Sequence, residues 1–255
     1  MLTIHDIKIT WDRKMTTNIE LIRKQLENHY RETPILFFKT NKGDYAEHDQ
    51  FLGIKVPNLR KIAKQFYLLE EDEHRIFMTS KYNEERLLAL IILVDQYQKA
   101  KWEQKKKIVH YYLSHLDWIN NWNLVDSSAH HILGAYTYIT DTSLLMELSS
   151  SHKLWEKRIA IVATWYFIKR GQVELTYQIA EQYLNDQEDL IHKATGWMLR
   201  EAGKVNMHRL NQFLIKHAHH MPRTMLRYAI EKMNEEDRGQ FLRVKPGKKH
   251  KKSAN

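Results

Sequence analysis

The 255-residue chain has no cysteine. That removes disulfides, thiolate zinc sites and cysteine nucleophiles together, and it fits a reducing, cytoplasmic setting. Glycine and proline are scarce, at 8 and 4 residues, too few for many tight turns between strands. No stretch approaches the roughly 18 apolar residues of a membrane span. The N-terminal segment, with Asp6, Lys8, Asp12, Arg13 and Lys14, lacks the apolar centre of a signal peptide. The expectation is a soluble protein with no membrane partner. A phosphate-binding glycine loop, a dinucleotide glycine motif and a GxSxG elbow are also missing, which sets aside nucleotide-driven chemistry and serine hydrolysis. Among the 15 histidines are His130-His131 and His217, His219 and His220. Adjacent helical positions point to different sides, no HExxH or carboxylate partner stands at ligand spacing, and only His217 and His220 are correctly spaced at three apart. Neither a metal nor a cofactor is expected.

What the chain does have is helix formers. Leu, Ile, Ala, Glu and Lys dominate, and apolar residues recur at helical spacing from Ile19, Ile22, Leu26 and Tyr30 onward. Residues 39–50 are polar and read as a connector. Phe51 to Pro57 forms a bend from which a helix starts at Asn58, with Leu59, Ile62 and Phe66 inward. The formal charge is +9, which favours a polyanionic partner. Five of those charges, Lys245, Lys248, Lys249, Lys251 and Lys252, sit in a terminus without acids, so +9 less 5 leaves +4 for the rest. A single domain over 1–243, followed by a disordered basic tail over 244–255, is the expected organisation. The body is only mildly basic, so binding has to depend on where its cations lie.

Short apolar helices centred on Ala89, Ala129, Ala160, Ala194 and Ala229 recur every 31 to 40 residues. Four have a basic residue just upstream: Arg86, Arg158, Lys193 and Arg227. In the fifth, that neighbourhood holds Asp126. Paired helices at this period are the mark of a HEAT-like α-solenoid, with a plain helical bundle as the alternative. Lys169-Arg170-Gly171 and Arg200-Glu201-Ala202-Gly203-Lys204 read as helix C-termini. Pro222 suits the first turn of the last helix, with Met225, Leu226, Ala229, Ile230 and Met233 as its apolar stripe. Equivalent helices of a solenoid line one concave face. Arg158, Lys193, Arg200, Arg223 and Arg227 would then form a basic cleft that follows a phosphate backbone.

The stretch from Asn121 to Ala129 stands apart. Trp122 and Asp126 are four residues apart, about 40° around a helix, so a ring face and a carboxylate project from one side. That pairing suits stabilisation of a transient cation. On spacing alone, a core tryptophan and a structural ion pair, for example between Asp126 and Arg158, account for the same residues. Trp155 and Arg158 share a face, and Trp197 lies on the helix that runs from Lys193 to Arg200.

Five segments, taken together and in order, resemble the AlkD-type DNA alkylation repair proteins, HEAT-like-repeat DNA glycosylases. They run from Phe51 to Arg60, Asn121 to Asp126, Leu154 to Ala160, Ile191 to Glu201 and Pro222 to Ile230. The resemblance implies an all-α HEAT-like-repeat solenoid. It also implies hydrolysis of the N-glycosidic bond of cationic N3- or N7-alkylated purines in duplex DNA, without insertion of the base into a pocket. The family's catalytic acid falls on Asp126, its two cleft tryptophans on Trp122 and Trp197, and its backbone-contacting arginine on Arg158. Relatives often have Asp where Asn123 stands, outside the catalytic pair. A cleft-lining tyrosine of some members has no firm counterpart, Tyr45 being the nearest. The reading is a monomeric enzyme. A non-catalytic HEAT-like DNA-binding module and a protein-interaction scaffold are its rivals.

Overall fold

The computed structural model describes residues 18–32 and 38–244. Pro34 and all five lysines of the basic terminus lie outside them, as do Asp6 to Lys14. Among the described residues every regular element is a helix, and the one bridge, between Gln50 and Tyr82, is isolated. The chain divides into two compact units, Met1–Ser128 and Ala129–Asn255.

In the first unit α1 covers residues 18–27, followed by α2 (Val56–Gln65), α3 (Glu71–Met78), α4 (Asn83–Lys99), α5 (Trp102–Ser114) and α6 (Trp122–Ala129). Helix α4 is the hub, packed against α2, α3 and α5. Its run Leu87 to Leu90 and Ile92 to Val94 is buried on all sides, as a helix without a polar face must be. Helix α2 begins at Val56, two residues before the expected Asn58, because Pro57 is tolerated in a first turn where no N–H bond is lost. The bend before it is organised by a buried carboxylate. Glu84 accepts the N–H groups of Leu52 (2.9 Å), Gly53 (2.7 Å) and Ile54 (3.3 Å). Gly53, at φ 76°, allows three successive donors to face one acid.

The second unit opens with a π turn, His130–Gly134, and α7 (Ala135–Ile139). Then come α8 (Ser143–Ser149), α9 (Leu154–Ala163), α10 (Trp165–Ile168), α11 (Glu174–Gln182), α12 (Asp189–Val205), α13 (Met207–His217), α14 (Arg223–Ala229) and α15 (Glu235–Arg243). Here α12 is the hub, against α9 on one side and α14 on another. Ala89, Ala129, Ala160, Ala194 and Ala229 are all buried. Two glycines make the same close approach. A Cβ on Gly134 would meet Ala163 O and Tyr166 Cβ, and one on Gly196 would meet Met225 O and Tyr228 Cβ, partners 29 and 32 residues further on in both cases. This all-α architecture is consistent with an α-solenoid.

Two helix ends differ from expectation. Gly171 does end a helix in the left-handed region, at φ 81°. Gly203 does not: α12 runs through it to Val205, and its missing side chain makes room for Leu210 of α13. Pro222 caps α14, but that helix is followed by α15, and Met233 lies beyond α14. No helix among the described residues is long and apolar enough to cross a membrane.

Candidate functional site

Helix α6 starts from a buried polar anchor within the first unit. The Asn121 carbonyl accepts the Val125 N–H at 3.1 Å and its side-chain oxygen accepts the Trp122 N–H at 2.8 Å. The Asn121 amide donates to Asp49 Oδ2 at 2.7 Å, and Asn83 donates to the same oxygen at 3.0 Å. Arg86 Nη2 donates to Asp49 Oδ1, while its other N–H groups reach Trp118 O (3.1 Å) and Ser80 O (2.7 Å). Asp49, Arg86, Asn83 and Asn121 are all buried. A buried carboxylate with this many donors is satisfied rather than stranded. The first residue of α6 is therefore fixed through two side chains from α4 and the preceding loop.

Along α6 the pattern splits the helix in two. Leu124, Val125, Ser128 and Ala129 are buried, whereas Trp122, Asn123, Asp126 and Ser127 are partly open. Trp122 and Asp126 thus share the accessible side. Trp122 is held by its ring edge and its face: Nε1 donates to Tyr45 Oη at 3.1 Å, and Phe38 stacks on the indole at 5.2 Å between centroids. Phe51 backs Phe38 at 4.3 Å. Tyr45 therefore touches Trp122. Asn123 gives its amide to Asn83 at 2.6 Å, so this departure from the resemblance faces the anchor.

In the second unit Trp197 belongs to a row of rings. It meets Trp165 edge-on at 5.1 Å, Trp165 meets His130 at 4.7 Å, and His130 meets His131 at 3.8 Å. The row includes part of the π turn, a distortion of the helical ladder that recurs at functional sites. Helix α12 buries Ile191, Ala194, Met198 and Ala202 and leaves Lys193, Trp197, Arg200 and Lys204 on the other side. That spacing sets two of the expected phosphate contacts on the same face as Trp197.

The cations are not equivalent. Lys193 pairs with Asp189 at 2.7 Å, and Arg200 pairs with Glu201 and Glu231. Glu231 is exposed and its carboxyl is held below the ordinary range by Lys232 first and then by Arg200. Arg223 donates to Leu242 O (2.9 Å) and Val244 O (3.3 Å), and Arg227 is exposed on α14. Arg158 departs from the expected open contact. It is 5 % exposed and Nη1 donates to Leu190 O at 2.7 Å, tying α9 to the start of α12.

Sequence reading missed Asp49, Phe38 and Trp165. Nothing in the polar segment around Asp49 distinguishes a buried acid from a connector residue. Trp165 did carry a signal, since it precedes Trp197 by 32 residues, within the spacing of the recurring alanines. Among the described residues no group of three His, Asp or Glu side chains is placed to hold a metal ion.

The sequence model of a family described as DNA alkylation repair enzyme matches residues 19–233. Among solved structures, a predicted DNA alkylation repair enzyme from Enterococcus faecalis superposes with a TM-score of 0.59 at 15% identity, covering 75% of this chain and 92% of that one. At that identity the likeness speaks for the fold. No curated protein matched the sequence.

Proposed function

The chain belongs to the DNA alkylation repair enzyme family, and from that membership we propose that it is a DNA glycosylase. It releases cationic N3- or N7-alkylated purines from duplex DNA by hydrolysing the N-glycosidic bond, without taking the base into a pocket. It works as a monomer in the cytoplasm, without a metal or cofactor, on a single HEAT-like-repeat domain with a basic cleft. The repeated approach of Gly134 and Gly196 to partners at identical spacing supports the repeat reading.

The observation that carries the proposal is the pairing on α6. Asp126 sits one turn from Trp122 on the partly open side of a helix whose start is locked by Asp49, Asn121 and Arg86. An N3- or N7-alkylated purine already bears a positive charge and leaves readily, so no general acid is needed. As the bond to the base breaks, charge passes to the deoxyribose. Asp126 stabilises that charge and orients the attacking water, taking up its proton. The indole faces of Trp122 and Trp197 each add roughly 0.5–2 kcal/mol of attraction to a cation. Lys193, Arg200, Arg223 and Arg227 hold phosphates without reading sequence. Arg158, nearly sealed from water, serves that DNA-binding set indirectly, by fixing the first turn of α12 through Leu190 O.

Removing one preorganised electrostatic group costs ~2.7–4 kcal/mol, or about 100- to 1000-fold in rate. Asp126→Asn is therefore expected to bind methylated duplex as the wild type does while releasing N7-methylguanine more slowly by that factor. Single-turnover release and filter retention measured on the same samples check it. Release at the wild-type rate would remove the carboxylate from the mechanism.

A further inference from the structure

The turn that ends α10 presents two adjacent cations, each already laid on a ring. Lys169 Nζ stands 3.9 Å from the centroid of Trp165. The guanidinium carbon of Arg170 lies 3.4 Å from the Tyr166 centroid and 5.5 Å from that of Tyr138. Both residues are exposed. Neither forms an ion pair with an acid among the described residues, in contrast to Lys157, Lys193, Arg200, Arg209 and Lys216, which do. Arg170 spends one N–H on Tyr166 O, at 3.1 Å. Gly171, in the left-handed region, turns the chain away immediately after the pair.

We infer that Lys169 and Arg170 form a phosphodiester-binding site for DNA, distinct from the residues assigned above and resting on the proposed action on duplex DNA. A basic pair at a helix C-terminus is also favoured by the helix dipole, which accounts for the charge but not for the stacking. The rings do two things for an anion. They hold flexible side chains in one place, and they shed water from one side of each cation, so less ordering is left for binding to impose. The location selects nucleic acid over another polyanion. Steps of 3.9 Å from Lys169 to Trp165 and 5.1 Å from Trp165 to Trp197 keep the ammonium within about 9 Å of the Trp197 ring. A strand rises about 3.4 Å per nucleotide. A sugar resting on Trp197 therefore has its own phosphate or the next within reach of Lys169, with Arg170 one residue further along.

The test is the salt dependence of affinity for unmodified duplex, measured on the full chain. Each phosphate neutralised contributes about 0.9 to the slope of log affinity against log salt. Lys169→Ala/Arg170→Ala is expected to flatten that slope by nearly two units and to weaken binding, while Lys169→Arg/Arg170→Lys keeps it. If the alanine pair fails to fold, Lys169→Gln/Arg170→Gln replaces it with the same expectation. A wild-type slope in the neutral pair overturns the inference. So does a flattened slope in the charge-keeping pair, or displacement of duplex by poly-glutamate at equal charge concentration. Because unmodified duplex is the probe, a flattened slope without base release by the wild type would retain this site and remove the excision reaction. Excision with an unchanged slope would do the reverse.

Discussion

Arg86 and Arg158 each stand in a charged cluster near a helix start, and each is almost sealed from water, at 2 % and 5 % exposure. The first is spent on Asp49 and two carbonyls, the second on Leu190. Lys169, Arg170 and Arg227 carry the same sign and are exposed. The sequence shows the sign of a charge and its helical phase, but burial depends on neighbours that are distant along the chain. That is why the Trp122 and Asp126 pairing was legible, while Asp49, 72 positions from Asn121, was not. His74 shows what burial does to a titrating group. Desolvation pushes its imidazole down to about 4, against a partly opposing bond to Ala89 O. That carbonyl can only accept, so Nε2 carries the proton and Nδ1 accepts from Tyr111 at 2.9 Å. Above about pH 6.5 both folded and unfolded chains hold this residue neutral. Below it the unfolded chain gains a proton that the folded chain refuses until about pH 4. Stability therefore falls as pH drops through that window, by on the order of 3 kcal/mol, and then levels off. In His74→Phe that part of the pH dependence should vanish in urea titrations between pH 6.5 and 4. An unchanged slope would contradict the account.

Helix α12 is the element on which the second unit depends. Its apolar phase, Ile191, Ala194, Met198 and Ala202, is readable from spacing, and so is the opposite face with Lys193, Trp197 and Arg200. Its end was not, because glycine has two uses in a helix. Gly203 sits where a C-terminus is expected, yet it serves an approach by Leu210, and the helix continues. Gly196 serves one that yields less. A Cβ there would lie 2.5 Å from Met225 O and 2.5 Å from Tyr228 Cβ, the first of them backbone. At Gly203 the nearest atom is the end of a leucine side chain, at 2.3 Å. Gly196→Ala is expected to destabilise the fold by about 1–3 kcal/mol, since α12 and α14 have to separate. Gly203→Ala should stay within ~1 kcal/mol of the wild type, as Leu210 can rotate and alanine favours the helix. Urea denaturation of both variants checks the order. A larger loss at Gly203 would show that the backbone contact between α12 and α14 yields more readily than Leu210 does.

At the scale of the molecule, the composition already pointed to the all-α architecture of the described residues, and five recurring alanines marked helices of its core. All five are buried in the structure. The family match over residues 19–233 extends through both units, and it was foreshadowed by segments whose physical roles are now visible. The Phe51 to Pro57 bend wraps Glu84, and the Asn121 to Asp126 segment starts α6 on Asp49. Net charge alone said little, because most of the excess lies in a terminus outside the described residues, and many of the remaining cations are paired with acids. The most direct measurement incubates the full chain with duplex containing N7-methylguanine, N3-methyladenine or, as neutral controls, uracil or hypoxanthine, and follows free base together with retained DNA. The account predicts release of the two cationic bases with accumulation of abasic sites, and no appreciable release of the neutral ones. Retention of methylated duplex without release of either cationic base, or efficient excision of uracil, would contradict it.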